Sequence, residues 1–216
     1  MAPNAGVLAR GPWEPSQVDV AWRSDPFEPA QSASEAADVA LNALRRRGSP
    51  SHDGLAARLS GYQAARGRLS LELQPARWAL RLIADNAAQS LAVLCLVRDG
   101  DGRWLAGRRA QWLASWAGRW ALGAGGSVEL DENPIETLSR ELQEEWSLRP
   151  ERLTVEALVA LPSGVVLLVG MAWVAAGAAV TPDAEHDEFA WWPPEVDSWP
   201  RQADEPLRRL GELTSA

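Results

Sequence analysis

The second half of the chain has the most regular pattern of apolar and polar residues. From Ser90 onward, "LAVLCLVRDGDGRWLAGRRA" contains an apolar run, a turn rich in Gly and Asp, and a second run that ends in two arginines. This pattern is typical of a β-hairpin. Further strands are predicted in "LTVEALVAL" and "GVVLLVGMAWV", with an acidic helix before them and a last helix around Pro206 to Leu213. These elements predict an α/β fold, an α/β/α sandwich around a mixed β-sheet.

The first half is less regular. Residues 1–30 are rich in Pro and small residues without periodicity, which predicts an irregular leader. Two helices are predicted next, "SEAADVALNALRRRG" with Ser34 as its cap and "HDGLAARLSGYQAARG", followed by strands in "RLSLELQP" and "RWALRLI". The expected division is a leader over 1–30, an accessory region with helices and strands over 31–86, and a main domain over 87–216.

Composition and charge narrow the classes of partner. The chain has 216 residues and a net charge of -8, and each of its 21 basic residues is arginine. An acidic protein lacks the cations that neutralise nucleic-acid phosphates, so no stable nucleic-acid complex is expected. A small anionic ligand would need a local arginine cluster or a bound cation. The single cysteine, Cys95, lies in an apolar strand and cannot form a disulfide within the chain.

No segment predicts export or a membrane span. The N-terminal residues lack an apolar core of signal-peptide length, so we expect a cytoplasmic protein. The uncharged stretch Val165 to Val180 is shorter than a membrane span and contains two glycines. It is interpreted as a buried strand followed by a turn.

The acidic helix has a well-defined start and a buried stripe. Asn133 can cap it, Pro134 takes the first helical position, and Glu136 lies where a capping box requires an acidic residue. Apolar residues recur at spacings of three and four and predict the buried face: Ile135, Leu138, Leu142 and Trp146.

Three carboxylates are predicted beside that stripe. Glu141 and Glu145 lie one turn apart with Glu144 next to them, so like charges converge. A divalent cation would remove the repulsion, and Mg²⁺, with Mn²⁺ as a substitute, prefers such oxygen ligands. Gly125 and Gly126 would allow the backbone to approach the cation and supply a carbonyl. The alternative is a solvated acidic face.

The segment resembles a known family motif. Arg140 and Glu132, eight residues apart, could tie the preceding loop to the helix by a charge-assisted pair, although Arg140 could also be a surface cation. From Gly126 to Leu148 the spacing resembles the Nudix hydrolase signature. The matching residues are Gly126, Glu132, Arg140-Glu141 and Glu144-Glu145. Ser147 stands where the family has a glycine, at the end of the helix.

The resemblance covers roughly Ser90 to Pro200. It implies a Nudix-type fold over 87–216, a divalent metal, and hydrolysis of a diphosphate linked to another group. At matching positions it implies that Glu141, Glu144 and Glu145 bind metal and activate water. It also implies that the Gly125 carbonyl is a metal ligand, and that Gly126, Glu132 and Arg140 have structural roles.

A late loop, "PDAEHDEFAWWP", resembles the segment from which some family members supply another carboxylate. Glu185 is the best match and Glu188 the second. Because the base varies within the family, Glu141 and Glu185 both remain candidates. Arg108 and Arg109 resemble the phosphate-contacting position and Arg119 is a weaker addition, the alternative being edge-strand charge.

Three tryptophans precede the glycine pair and could sandwich a planar group, although core packing is favoured for at least two of them. They are Trp112, Trp116 and Trp120. The predicted function is a metal-dependent pyrophosphohydrolase acting on a nucleotide or nucleotide-sugar substrate. The alternative is a non-catalytic nucleotide-binding or regulatory module. A homodimer is compatible with the sequence.

Overall fold

A computed structural model of the chain describes residues 5–49, 51–83, 88–113 and 115–214. The strands are β1 (Gly6–Trp13), β2 (Val18–Trp22), β3 (Leu55–Ala65), β4 (Arg68–Arg77), β5 (Leu91–Asp99), β6 (Trp104–Arg109), β7 (Trp120–Leu122), β8 (Arg152–Ala160), β9 (Val166–Val174) and β10 (His186–Trp192). The α-helices are α1 (Gln31–Arg46), α2 (Pro134–Trp146) and α3 (Glu205–Thr214), and short 3₁₀ helices span Pro15–Gln17, Trp78–Leu82 and Val196–Ser198.

Strands β1, β8, β9, β5, β6 and β10 form the main sheet in that order, and β7 also pairs with β6. The sheet is mixed, because β5 and β9 are parallel whereas β8 and β9, and β6 and β10, are antiparallel. In the described residues, no helix is long and apolar enough to span a membrane.

Helices α2 and α3 cover opposite faces of the main sheet. Val93 of β5 packs in one buried cluster with Leu138 of α2, whereas Leu96 of the same strand packs in another with Leu207 of α3. Side chains at odd and even positions of a strand point to opposite faces. The predicted α/β/α sandwich around a mixed sheet is therefore confirmed.

Strands β2, β4 and β3 form a separate small sheet, in which β2 runs parallel and β3 antiparallel to β4. Leu71 of β4 is buried in the same cluster as Leu138 and Leu142 of α2. The small sheet therefore lies on the α2 side of the main sheet. Strand β3 also contacts the loop before α2, where the Ala57 N–H donates to the Val128 carbonyl at 2.8 Å.

The N-terminal predictions are partly wrong. Residues 5–30 do not form an irregular leader, because β1 pairs with β8 and β2 with β4. The second predicted helix is strand β3, and "RWALRLI" is largely the 3₁₀ helix Trp78–Leu82. Pairing with distant strands overrides local propensity in β1, β2 and β3. The helix expected at Ser34 starts at Gln31.

The strand predicted in "RLSLELQP" is present as β4. The first four residues of the expected leader lie outside the described residues, as does the expected domain boundary at 86 and 87.

Candidate active site

The residues at the start of α2 and along its apolar face determine where the helix begins and how its side chains are oriented. The Asn133 side chain accepts a hydrogen bond from the Ile135 N–H at 3.0 Å, and Pro134 occupies the first turn, where its missing N–H is not needed. Leu138 and Trp146 are fully buried. This orientation turns Glu141 and Glu145 inward toward the Gly125–Gly126 bend.

Glu145 is the most confined carboxylate of the helix. Its Oε1 accepts a hydrogen bond from the Gly125 N–H at 3.0 Å. Its Oε2 is buried and has no hydrogen-bond partner among the described residues, and it lies 3.7 Å from His186 Nε2. Burial raises the pKa of Glu145 well above its ordinary value, although the Gly125 N–H opposes the shift.

Glu141 lies against the other glycine. A β-carbon on Gly126 would lie only 2.1 Å from Glu141 Oε1, so the close approach requires glycine. Arg140 Nη1 contacts the same oxygen at 2.8 Å. Burial raises the pKa of Glu141 to about 7, while the charge of Arg140 acts in the opposite direction.

Glu144 does not join the two inward carboxylates. Its side chain is 58% exposed and its Oε2 accepts a hydrogen bond from Arg140 Nη1 at 2.9 Å. In the described part of the chain, no three His, Cys, Asp or Glu side chains are grouped closely enough to hold a metal ion. The structure thus brings together two of the three predicted carboxylates, because Arg140 holds the third at the surface.

The carbonyl of Gly125 faces the same carboxylates. The carbonyls of Ala124 and Gly126 accept hydrogen bonds from the Cys95 and Val93 N–H groups of β5, at 2.7 and 2.9 Å. In extended backbone, the N–H and C=O of one residue point to the same side and those of its neighbours to the other. Because the Gly125 N–H donates to Glu145, its carbonyl is directed toward α2.

Arg140 ties the preceding loop to the helix. Its Nε and Nη2 donate to the two carboxylate oxygens of Glu132, at 2.7 and 3.2 Å. Nη2 also donates to the Ser127 carbonyl at 3.3 Å. Bidentate pairing of this kind fixes geometry as well as adding energy. The structure thus brings together Arg140 and Glu132 as the resemblance implies.

The late loop places a second set of charges near Glu145. The Asp183 N–H donates to the Glu145 carbonyl at 2.9 Å, which ties this loop to α2. Glu185 Oε2 accepts from Arg109 Nη2 at 3.2 Å, and the charges of Glu185 and Arg109 both influence the pKa of Glu145. His186 packs on the Trp146 ring at 4.2 Å, and burial lowers its pKa, against the opposing effect of Asp183.

The other predicted phosphate-binding arginines lie elsewhere. Arg108 points to the opposite side of β6 from Arg109 and pairs with Asp187 at 2.7 Å and Glu188 at 3.1 Å. Glu188, the second choice for the late carboxylate, therefore faces Arg108. Arg119 pairs with Asp204 near α3. Of the three arginines, the structure brings only Arg109 to the inward carboxylates.

Core packing is not the role of most of the clustered tryptophans. Trp112 and Trp116 are each 45% exposed, so the preference for core packing of at least two of the three was wrong. Trp120 is partly buried and lies 5.5 Å from the Trp192 ring. The guanidinium of Arg119 covers Trp116 at 4.5 Å.

Three side chains from the N-terminal region also reach this site. Trp78 Nε1 donates to Ser127 Oγ at 3.0 Å, and Arg81 Nη1 donates to the same oxygen. Trp22 Nε1 donates to the Glu132 carbonyl at 3.2 Å. The sequence contains no signal for these contacts, because their partners lie far along the chain and share no spacing pattern.

The inward groups fit a hard divalent cation. Glu145 has a buried oxygen without a partner in the described residues, Glu141 is buried on the same helix, and the alternation of the strand directs the Gly125 carbonyl toward that helix. All three would supply oxygen ligands, which Mg²⁺ prefers. Burial raises the pKa of both carboxylates, so a bound cation would favour their ionised forms.

Comparison with known proteins identifies one domain family and related folds. The NUDIX domain model matches residues 88–210. The MutT protein from Methanosarcina mazei Go1 is 24% identical over 57% of this chain and 90% of its own, with a TM-score of 0.43. The MutT NUDIX hydrolase from Burkholderia pseudomallei is 23% identical over 57% and 96%, with a TM-score of 0.46.

The NUDIX domain of Shewanella oneidensis NrtR, solved in complex with ADP ribose, is 22% identical over 61% of this chain and 90% of its own, with a TM-score of 0.48. No curated protein matches the chain.

Proposed function

The chain belongs to the Nudix family, and we propose that it is a divalent-metal-dependent pyrophosphohydrolase that cleaves a nucleoside diphosphate linked to another group. The observation that carries this proposal is the buried Oε2 of Glu145, which has no hydrogen-bond partner among the described residues and lies beside Glu141 and the glycine bend. In their ionised forms, these two carboxylates would repel a diphosphate unless a cation lay between them and the phosphates.

Glu141, Glu145 and the Gly125 carbonyl would hold the cation. Glu144 is proposed as a further ligand, for which it would exchange its contact with Arg140 for the cation. When bound, a divalent cation neutralises phosphate oxygens and makes the attacking water more acidic. The pair between Arg140 and Glu132 keeps the loop and the glycine bend in position throughout.

Two glutamates are proposed to compete for the role of the base that accepts the proton from water. Glu141 is buried against the glycine bend, and before a cation binds this burial raises its pKa to about 7. Glu185 is less buried and is held by Arg109. Attack of water on phosphorus breaks the anhydride bond, so the bound diphosphate leaves as two phosphate-bearing products.

Arg109 is the arginine that we propose for the substrate phosphates. It is mostly buried, and it lies with Glu185 on the side of β6 that faces Glu145. Its planar fork suits a phosphate group. Arg108 and Arg119 are held by surface carboxylates, so a phosphate would have to displace those partners.

The proposal is tested by Glu145→Gln in a product-release assay with Mg²⁺ and a panel of ADP-ribose, NADH, dinucleoside polyphosphates, nucleoside triphosphates and nucleotide sugars. We expect the wild type to cleave at least one compound and the variant to lose at least about 100-fold in turnover while keeping its fold. Glu136→Gln is the matched control, because Glu136 is exposed on the same helix and should retain full turnover.

Full activity of the Glu145→Gln protein would refute the role of this carboxylate. Binding of a nucleotide by the wild type with no product from any compound would instead favour the non-catalytic binding module. If Glu185 is the base, Glu185→Gln should lose turnover while keeping its Mg²⁺ affinity, and an unaffected rate in this variant would assign the base role to Glu141.

A further inference from the structure

The 3₁₀ helix Trp78–Leu82, in the N-terminal region, places the positively charged side chain of Arg81 at the acidic site. Arg81 Nη1 donates to Ser127 Oγ, and Trp78 Nε1 donates to the same hydroxyl at 3.0 Å. The Arg81 guanidinium also lies 5.5 Å from the Trp78 ring centroid. A planar indole against the guanidinium restricts the directions in which Arg81 can point.

Ser127 lies next to the inward carboxylates. It follows Gly126, whose Cα leaves no room for a β-carbon against Glu141. Arg140 contacts both Ser127 and Glu141: its Nη2 donates to the Ser127 carbonyl at 3.3 Å, and its Nη1 lies 2.8 Å from Glu141 Oε1. The Arg81 guanidinium therefore contacts the residue that follows Gly126, and Gly126 itself lies against Glu141.

The charge of Arg81 has no direct partner in the described part of the chain. One of its N–H donors is used by a neutral hydroxyl, and no described carboxylate lies within ion-pair distance. By contrast, Arg109 and Arg140 near the same site are both ion-paired. Burial lowers the pKa of Arg81, and the charge of Glu141 acts in the opposite direction. A partly buried guanidinium that forms no ion pair with a described residue is well suited to an anion.

We propose that Arg81 binds a phosphate group of the substrate, so that the N-terminal region completes the active site. This inference rests on the proposed function, because it assigns a binding residue to the same site. Arg81 and Arg109 belong to different parts of the chain: Arg81 contacts Ser127 beside the glycine bend, and Arg109 pairs with Glu185 in the late loop that is hydrogen-bonded to Glu145. They would thus provide cationic contacts to a diphosphate in addition to the metal.

The test measures binding of α,β-methylene-ADP, which cannot be cleaved between its phosphates, and of adenosine, which has none. Calorimetry is performed on the full chain with Mg²⁺. We expect Arg81→Gln to weaken binding of the diphosphate analogue at least about tenfold and to leave adenosine binding unchanged. Arg81→Lys, which keeps the charge but loses the fork, should weaken the analogue about threefold.

Two further variants separate direct binding from a structural role. Ser127→Ala removes the hydroxyl that Arg81 contacts, and we expect less than about a threefold change in analogue binding. Arg68→Gln is the matched control, since Arg68 is an exposed arginine of the same region that pairs with Asp19. It should bind the analogue as the wild type does.

Unchanged analogue affinity in Arg81→Gln would overturn the inference, and so would an equal loss in Ser127→Ala. If Arg81→Gln does not fold, the absence of any loss in Arg81→Lys has the same meaning. Arg81-dependent binding without product release by the wild type would refute the hydrolase proposal alone. Product release by the wild type with full binding in Arg81→Gln would refute the inference alone.

Discussion

At the scale of single residues, the site is defined by two carboxylates that the fold holds away from water. Glu141 is 9% and Glu145 5% exposed, and burial raises the pKa of both. A cation binds the ionised form of a carboxylate, so protons and metal compete for the same oxygens. Stability, pH and metal binding should therefore be linked through these two residues.

The pKa of Glu141 predicts the direction of that link. Its folded-state pKa is about 7 against an ordinary value of 4.5, so the folded protein holds this proton more tightly than the unfolded chain. Between those values the unfolded state loses the proton first, and the free energy of unfolding falls as pH rises, by about 3 kcal/mol for a shift of this size.

Urea unfolding in EDTA from pH 4.5 to 8 measures this effect as the difference between the wild type and Glu141→Gln. We expect the variant to gain stability relative to the wild type as pH rises through this window. In a second series with Mg²⁺ in place of EDTA, this gain should be smaller. Glu136→Gln should follow the wild type at every pH. A wild type that gains stability relative to Glu141→Gln would contradict the assigned environment.

At the scale of elements, α2 ends in a conformation that its sequence does not favour. Ser147 has φ 56° and ψ 30°, in the left-handed region, and its N–H donates to the Gln143 carbonyl at 3.0 Å. The family signature has glycine at this position, and glycine adopts this conformation without steric cost. Serine keeps the same end of the helix at a cost in stability.

Ser147→Gly should therefore raise the free energy of unfolding by about 0.5–1 kcal/mol without changing turnover. The reason is relief of the left-handed backbone at an exposed position. Ser139→Gly, the same substitution in the middle of α2, is the control and should lower stability by a few tenths of a kcal/mol to about 1 kcal/mol. Urea unfolding measures both, and a destabilising Ser147→Gly would show that the serine side chain contributes to the cap.

At the scale of the whole molecule, the small sheet and the Nudix region share one hydrophobic cluster. Leu71 of β4 is buried with Leu138 and Leu142 of α2, and Trp22 of β2 donates to the Glu132 carbonyl. Strand β1 also forms an edge of the main sheet. We therefore propose that the N-terminal region and the Nudix region unfold together, although the sequence predicts separate regions.

Leu71→Ala tests that proposal. We expect a loss of about 3 kcal/mol in a single transition, with tryptophan fluorescence and far-UV circular dichroism giving the same midpoint. The substitution should destabilise α2 as well as the small sheet, because Leu71 packs in the same cluster as Leu138 and Leu142 of that helix. Leu55→Ala, an exposed leucine of the same sheet, should change stability by less than about 0.5 kcal/mol. Two separate transitions, with only one shifted by Leu71→Ala, would show that the small sheet is an independent unit.

Much of the Nudix region could be predicted because its signals are local. The Asn133 cap, the apolar stripe of α2 and the spacing of the motif depend on residues within one or two helical turns of each other. The backbone hydrogen bonds of such a helix join each residue to the fourth residue before it, so its sequence signals lie within a short segment. The sequence by itself therefore determined α2, the face that it buries and the inward direction of Glu141 and Glu145.

Only the tertiary structure decided which distant segments meet. The alanine-rich β3 is a strand because β4 pairs with it, and β1 is a strand because β8, far along the chain, supplies its hydrogen-bond partners. The surface position of Glu144, held by Arg140, and the approach of Arg81 to Ser127 are decided in the same way. Strand pairing and ion pairing depend on which partner is within reach, and periodicity along one segment contains no information about that partner.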